Sequence, residues 1–326
     1  MNIVAQMCAI AVMLVIMYFY VSQKKIILHT SRAFVEVWIA GLLSLFFDIF
    51  SLVAIEKRAV YPLTAINIIC KIYLWMVTWV AMVAFWYICV DIFRKKELEC
   101  KWRKRLWIFG IVTDILIMAV PVKIYDSDNI VYTYGPAVII TYAVTVTLLG
   151  LILLLTKKYS QVINPRRRTS MQVWVALMLS AAVIQFLNSK ILIVGFASMI
   201  GVLIIFIMLE NPMANIDRDT GFFNLNAFFE YMKEAYGQDK DVSIVCVRYS
   251  SNGNDFFSSE MEKNIFYEVV SFIESLPDNY VFRSSANEYL LVFENADCAE
   301  KTIGILERRF DKPWGSDNMT MLFGEI

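Results

Sequence analysis

Histidine is almost absent from this chain of 326 residues: His29 stands alone, with no ligand companions at a metal-binding spacing. Cysteine is sparse and scattered, at Cys8, Cys70, Cys89, Cys100, Cys246 and Cys298, with no CxxC pair, which argues against a zinc site and a disulfide framework. Charge is scarce too, at 18% of residues against 59% hydrophobic, and that balance excludes a disordered chain and a simple cytosolic enzyme. The zero net charge hides an asymmetry. Residues 1–210 hold 20 Lys+Arg and 10 Asp+Glu, whereas residues 211–326 hold 10 and 20. An acidic second part offers no basic stripe to phosphates, so no nucleic-acid partner is expected.

What is abundant is long apolar sequence. A helix needs about 20 mostly apolar residues to cross a bilayer. Seven such runs are read, at 3–21, 33–55, 62–93, 106–121, 136–156, 171–187 and 191–209, the third long enough to tilt and the fourth and sixth short. The first lacks a basic n-region and a cleavage site, so it is expected to remain as an anchor. Fifteen lysines and arginines fall in alternate connections: Lys24, Lys25 and Arg32; Arg94 to Lys96 with Lys101 and Arg103 to Arg105; and Lys157, Lys158 and Arg166 to Arg168. The opposite connections hold only Lys57, Arg58, Lys123 and Lys190. By the positive-inside rule the N-terminus is outside and everything beyond residue 210 is cytoplasmic.

Three ionisable residues lie deep inside these runs, Asp48, Lys71 and Asp114, at a cost of about 2.5–3.5 kcal/mol each at a helix centre. Each needs a partner or a wet cavity. Asp48 and Lys71 lie at matching depth, roughly 10–14 Å from one end of consecutive spans, and are expected to form an ion pair, serving as a packing clamp or as part of a ligand site. Glu36 and Asp91, near the other end, have basic neighbours to hand.

After Leu209 the apolar pattern stops at Glu210, Asn211 and Pro212. Residues 211–216 read as a short linker, leading to helix 225–235, strand 242–249, helix 260–275, strands 280–284 and 289–293, helix 296–310 and strand 319–323. Without its leading helix this is the β-α-β-β-α-β order of a ferredoxin-like domain, with a tight hairpin at Ser285 to Glu288.

Two motifs give residues 217–326 a resemblance to the GGDEF, or diguanylate cyclase, family. Asp217, Thr220, Gly221 and Asn224, followed by Phe228, look like the family's Asp-x-Leu-Thr-Gly-Leu-x-Asn-Arg-x-x-Phe entry. Arg283, Ser285, Ala286, Asn287, Glu288 and Tyr289 lie where the family has Arg-x-Gly-Gly-Asp-Glu-Phe. The resemblance implies a palm-like fold, a cyclic di-GMP signalling context and a bacterial inner membrane. It also implies where the chemistry has gone. Ser285 and Ala286 replace the glycines that admit GTP, Asn287 replaces an acidic metal ligand, and Arg248 stands where the first strand should end in a magnesium-binding aspartate. The segment 250–260 lacks the nucleotide-contact pattern, and Leu276 and Asn279 replace the arginine and aspartate of the product-inhibition site. The family domain runs on through a further helix and strand, so the fold is expected to be incomplete at residue 326.

The resulting expectation is a seven-span membrane sensor, residues 1–210, relaying an extracytoplasmic or membrane stimulus to a catalytically silent GGDEF-like domain. No catalytic residue, metal or cofactor is expected, with GTP or magnesium relevant only where nucleotide binding survives. The partners are the bilayer and either GTP, a downstream EAL domain or another signalling protein, and a homodimer is allowed. The competing readings are an active cyclase with a variant motif, the N-terminal part of a GGDEF-EAL phosphodiesterase, and a transporter.

Overall fold

A computed structural model describes residues 3–93, 96–127, 130–188, 192–250, 259–312, 314 and 320–325. Arg94, Lys95, Lys190, Met319 and most of the segment 250–260 thus lie outside the described residues. The chain divides into two compact units, Met1–Asn211 and Pro212–Ile326.

The first unit is a helical bundle: α1 Val4–Ser22, α2 His29–Glu56, α3 Leu63–Ile92, α4 Lys96–Ala119, α5 Pro136–Lys158, α6 Pro165–Leu187 and α7 Val194–Ile205, the last extended by a π turn over Phe206–Glu210. Between α4 and α5 lies a hairpin, β1 Lys123–Ser127 with β2 Ile130–Tyr134, which the apolar-run reading did not anticipate. Local chemistry sets the helix starts. Gly135 takes φ +112° immediately before Pro136, a conformation that a Cβ would disfavour. The Asn164 side chain accepts the Arg166 N–H at the start of α6, where Pro165 supplies a preset φ.

The helices are apolar inside and outside alike. Met13, Phe34, Leu45, Tyr87 and Trp174 fill the core, while Tyr18, Phe50, Ile139, Leu154 and Phe186 face outward. A water-soluble bundle would carry polar residues on that outer face, so the environment these helices suit is lipid. α6 and α7 approach closely because Gly201 has no Cβ, and a methyl group there would run into the Trp174 indole.

Among the described residues six helices are long and apolar enough to cross a membrane. The helix over the fourth apolar run is not one of them, because α4 begins at Lys96, ten residues earlier than the run, and its first ten positions include Lys96, Glu97, Glu99, Lys101, Arg103, Lys104 and Arg105. Most of that basic connection is therefore helical.

The second unit carries β3 Phe223–Asn224, α8 Leu225–Gly237, β4 Ser243–Ser250, α9 Ser259–Glu274, β5 Tyr280–Ser285, β6 Glu288–Phe293, α10 Ala296–Phe310 and β7 Thr320–Glu325. The strand order is β3-β5-β6-β4-β7, antiparallel except for β3 beside β5. One face of this sheet, with Val245, Val247, Leu291 and Phe293, packs on Ile265, Val269 and Ile273 of α9 and on Ala299 and Leu306 of α10. On the other face Phe282 meets Phe223, Phe228 and Tyr231, so α8 is seated by aromatic contacts. Residues 212–216, read as linker, form a short 3-10 turn over Pro212–Asn215 and a bridge between Ile216 and Phe223.

Candidate functional site

The entry motif and the hairpin of the second unit meet through one guanidinium. Arg283 Nη1 donates to Asp217 Oδ1 and to Asp219 Oδ2, both at 2.8 Å, and its Nε donates to the Ser285 carbonyl at 3.2 Å. Asp217 Oδ1 also accepts the Thr220 N–H and hydroxyl, at 3.1 and 2.8 Å, which folds the entry motif into a turn that closes at Gly221 with φ +70°. Burial pushes the Asp217 carboxyl up, but the Thr220 and Arg283 hydrogen bonds outweigh it and hold the group below the usual carboxylate range. Asn224 caps α8 by accepting the Ala227 N–H, and Phe228 packs on Phe282, so both serve the fold of the motif.

The hairpin turns through Ala286 and Asn287 with a register shift between Arg283 and Ser285. None of Ser285, Ala286 and Asn287 takes a positive φ, so the turn is not the left-handed kind that paired glycines favour. The Asn287 carbonyl accepts the Tyr249 N–H at 3.1 Å, and the Tyr289 ring stacks on Tyr249.

Arg248 and Glu288 are direct cross-strand partners on β4 and β6. Arg248 Nε and Nη2 both reach Glu288 Oε2, at 2.8 and 2.6 Å, while the Ser284 hydroxyl donates to Oε1. The Ser284 hydrogen bond and the Arg248 charge hold the Glu288 carboxyl below its usual range against the opposing effect of burial. Both oxygens of this carboxylate are therefore engaged by protein donors. A divalent ion favours oxygen ligands carrying negative charge, and the Arg248 guanidinium paired with Glu288 opposes it. The residues present do not fit a magnesium–GTP centre, and among the described residues no group of three or more His, Cys, Asp or Glu is arranged to hold a metal ion.

In the bundle, the expected Asp48–Lys71 ion pair does not form. Lys71 Nζ donates to the Met118 carbonyl at 2.6 Å, in the last turn of α4, where helix carbonyls lack intrahelical partners and the dipole is negative. Asp48, buried on α2, accepts Gln6 Nε2 of α1 at 3.2 Å and interacts with the Tyr73 hydroxyl of α3. A Cβ at Gly195, in the first turn of α7, would lie 3.7 Å from Asp48 Oδ2, so the carboxylate faces the positive end of that helix. Asp114 accepts the Trp79 indole N–H at 3.0 Å.

Asp48 also lines a cavity of about 410 Å³ formed by α2, α3, α5, α6 and the start of α7. Its polar lining includes Ser51, Tyr73, Tyr142, Thr145 and Gln185, set in an apolar wall of residues such as Leu52, Val138 and Met178. Gln185 Oε1 accepts the N–H groups of Ile193 and Val194, both at 3.1 Å, so a cavity wall is also the N-terminal cap of α7.

At the other end of α7 sits a polar constellation that no spacing in the sequence announces. Buried Glu210 accepts the Ser31 hydroxyl of α2 at 3.1 Å and the Tyr87 hydroxyl of α3 at 2.7 Å, and pairs with Arg167 of α6 at 3.5 Å. Arg167 also lies 3.7 Å from Asp91 and over the Tyr87 ring. Glu36 pairs with Arg103 at 2.8 Å and His29 with Glu99 at 3.1 Å, so the basic connections do supply neighbours for acids near the helix ends.

No protein-family model matches this chain, and no curated protein matches it.

Proposed function

We propose that the chain is a multi-pass membrane receptor of the inner membrane, N-terminus outside, that couples an extracytoplasmic or membrane stimulus to a catalytically silent GGDEF-like domain in cyclic di-GMP signalling. The observation that carries the silent half is the Arg248–Glu288 pair, which puts a cation and a consumed carboxylate where the cyclase reaction requires metal ligands. The strand arrangement β5-β6-β4-β7, joined in β-α-β-β-α-β sequence, supports a ferredoxin-like domain, and the salt bridge of Arg283 to Asp217 supports reading the two motifs as one site.

Seven spans rather than six are favoured by α4 itself. Ile108, Ile111, Val112 and Ile115 all point outward from the bundle, and Asp114 points inward to Trp79, as a lipid-facing helix requires. Transmission is served by α7, whose first turn is capped from the cavity wall and whose π-turn extension ends at Glu210, held by three other helices.

The test is to incubate the full-length chain in lipid nanodiscs with GTP and magnesium or manganese, measuring cyclic di-GMP and bound nucleotide together. No product is expected. Steady cyclic di-GMP formation overturns the silent reading in favour of an active cyclase with a variant motif.

A further inference from the structure

We infer that the cavity beside Asp48 is the binding site of an amphiphilic cation, a small molecule with a protonated amine at one end and an apolar body. The inference deepens the receptor reading and rests on it for its purpose, though not for its chemistry. The volume of about 410 Å³ falls among small-molecule sites, which span roughly 300–1,000 Å³ and pair a mostly apolar wall with few placed polar groups.

Charge selects the ligand class. Asp48 is only 5% exposed and lies on the cavity wall, yet its partners are the neutral Gln6 amide and Tyr73 hydroxyl, and among the described residues no cation pairs with it. Lys71, the cation nearest in the sequence pattern, is taken by the Met118 carbonyl. A buried carboxylate without a counter-charge is unfavourable in an apolar bundle, and a ligand ammonium supplies that charge. An anionic ligand would be repelled. Thr145 gives a second, independent sign: it lines the same cavity at 6% exposure and among the described residues its hydroxyl has no hydrogen-bond partner, so a polar group of the ligand has an acceptor or donor waiting. Ile139 and Phe186 line the cavity and are also open to the outside of the bundle, which gives an apolar body a route from the bilayer.

Occupancy would be felt by α7. Gln185 is at once cavity wall and cap, and Gly195 sets the first turn of α7 against Asp48, so an ammonium drawn to Asp48 competes with that helix's positive end.

The probes are phenylbutylamine and its uncharged analogue phenylbutanol, titrated calorimetrically into full-length protein in phosphatidylcholine nanodiscs with empty nanodiscs as the blank. The amine should bind about thirtyfold more tightly than the alcohol or better, as expected for a desolvated charge pair. Asp48→Asn, which keeps an acceptor for Gln6, should bring amine affinity down to that of the alcohol, and Ala182→Phe, which fills the cavity, should abolish both. Equal binding of amine and alcohol to the wild type means that the cavity takes apolar chains without regard to charge, and overturns the inference. Retention of the amine preference by Asp48→Asn does the same. Should Asp48→Asn fail to fold, the wild-type ratio and the Ala182→Phe loss still decide. Binding is read without any signalling output, so failure here leaves the receptor reading standing, and a failed receptor reading leaves measured binding intact.

Discussion

Replacing Glu210 by alanine removes the acceptor that joins α2, α3 and α6 to the end of α7. Three interactions go at once: the Tyr87 hydrogen bond at 2.7 Å, the Ser31 hydrogen bond at 3.1 Å and the Arg167 pair at 3.5 Å. Removing one member of a buried charge pair costs about 3–5 kcal/mol. The lower end applies here, since the Arg167 contact is long and Asp91 keeps its place 3.7 Å from that guanidinium. At about 2–4 °C per kcal/mol for a unit of roughly this size, a loss near 3 kcal/mol lowers the unfolding temperature of the detergent-purified chain by about 6–12 °C. Tyr87→Phe alone should cost about 1.5–3 kcal/mol, the value of a hydrogen bond to a charged group. In the Glu210→Ala background the same change should be near neutral, because the hydroxyl has already lost its acceptor. The coupling expected from the double-mutant cycle is thus about 1.5 kcal/mol or more. Additive losses, with coupling under about 0.3 kcal/mol, would refute the idea that these helices are held together through Glu210.

Charge exchange between Asp48 and Lys71 should bring no recovery over the single variants, because Asp48 bonds Gln6 and Lys71 bonds the Met118 carbonyl rather than each other, and folded yield in membranes reads this. Gly201→Ala should lower the unfolding temperature sharply, by the equivalent of about 1–3 kcal/mol, because the new methyl group displaces the Trp174 indole. The Asp217 carboxyl is held below its unfolded value of about 3.9, so the stability it contributes is fully present above that pH and is lost as pH falls through the folded value; Asp217→Asn should flatten the acid limb of the second unit's unfolding profile. Reporter fusions after Phe93 and after Lys123 should give opposite topology signals when α4 crosses the membrane, and equal signals would reduce the bundle to six spans.

Helix existence was legible because every membrane-suited segment carries its signal locally, in the run of apolar residues and the prolines at 136 and 165. The second unit's elements were legible for the same reason, in the alternation over 243–250, the apolar run over 289–293 and the amphipathic helices. Rotation about a helix axis was not. Matching depth suggested that Asp48 and Lys71 should meet, yet depth is one coordinate: Lys71 instead reached the carbonyl end of α4, and Asp48 met Gln6 and Tyr73. The Glu210 constellation draws on Ser31, Tyr87 and Arg167, which lie far from it in the chain and reach it from three different helices, so no window of sequence contains it. The β1–β2 hairpin hid behind a search for apolar runs, although Tyr125, Val131, Tyr132 and Thr133 are strand-forming residues. The Arg248–Glu288 pair depends on the strand register, which sets β4 beside β6 and brings the two residues opposite each other.

The π turn over Phe206–Glu210 acts as a phase shifter. Such a turn absorbs one residue beyond the α-helical count, and each residue of an α-helix advances the azimuth by about 100°. Were the same residues to continue α7 as a plain α-helix, the Glu210 carboxylate would swing by roughly that angle, off the face it shares with Ser31, Tyr87 and Arg167. The widened turn and the buried carboxylate therefore belong together: the extra residue sets the angle at which Glu210 meets Ser31, Tyr87 and Arg167.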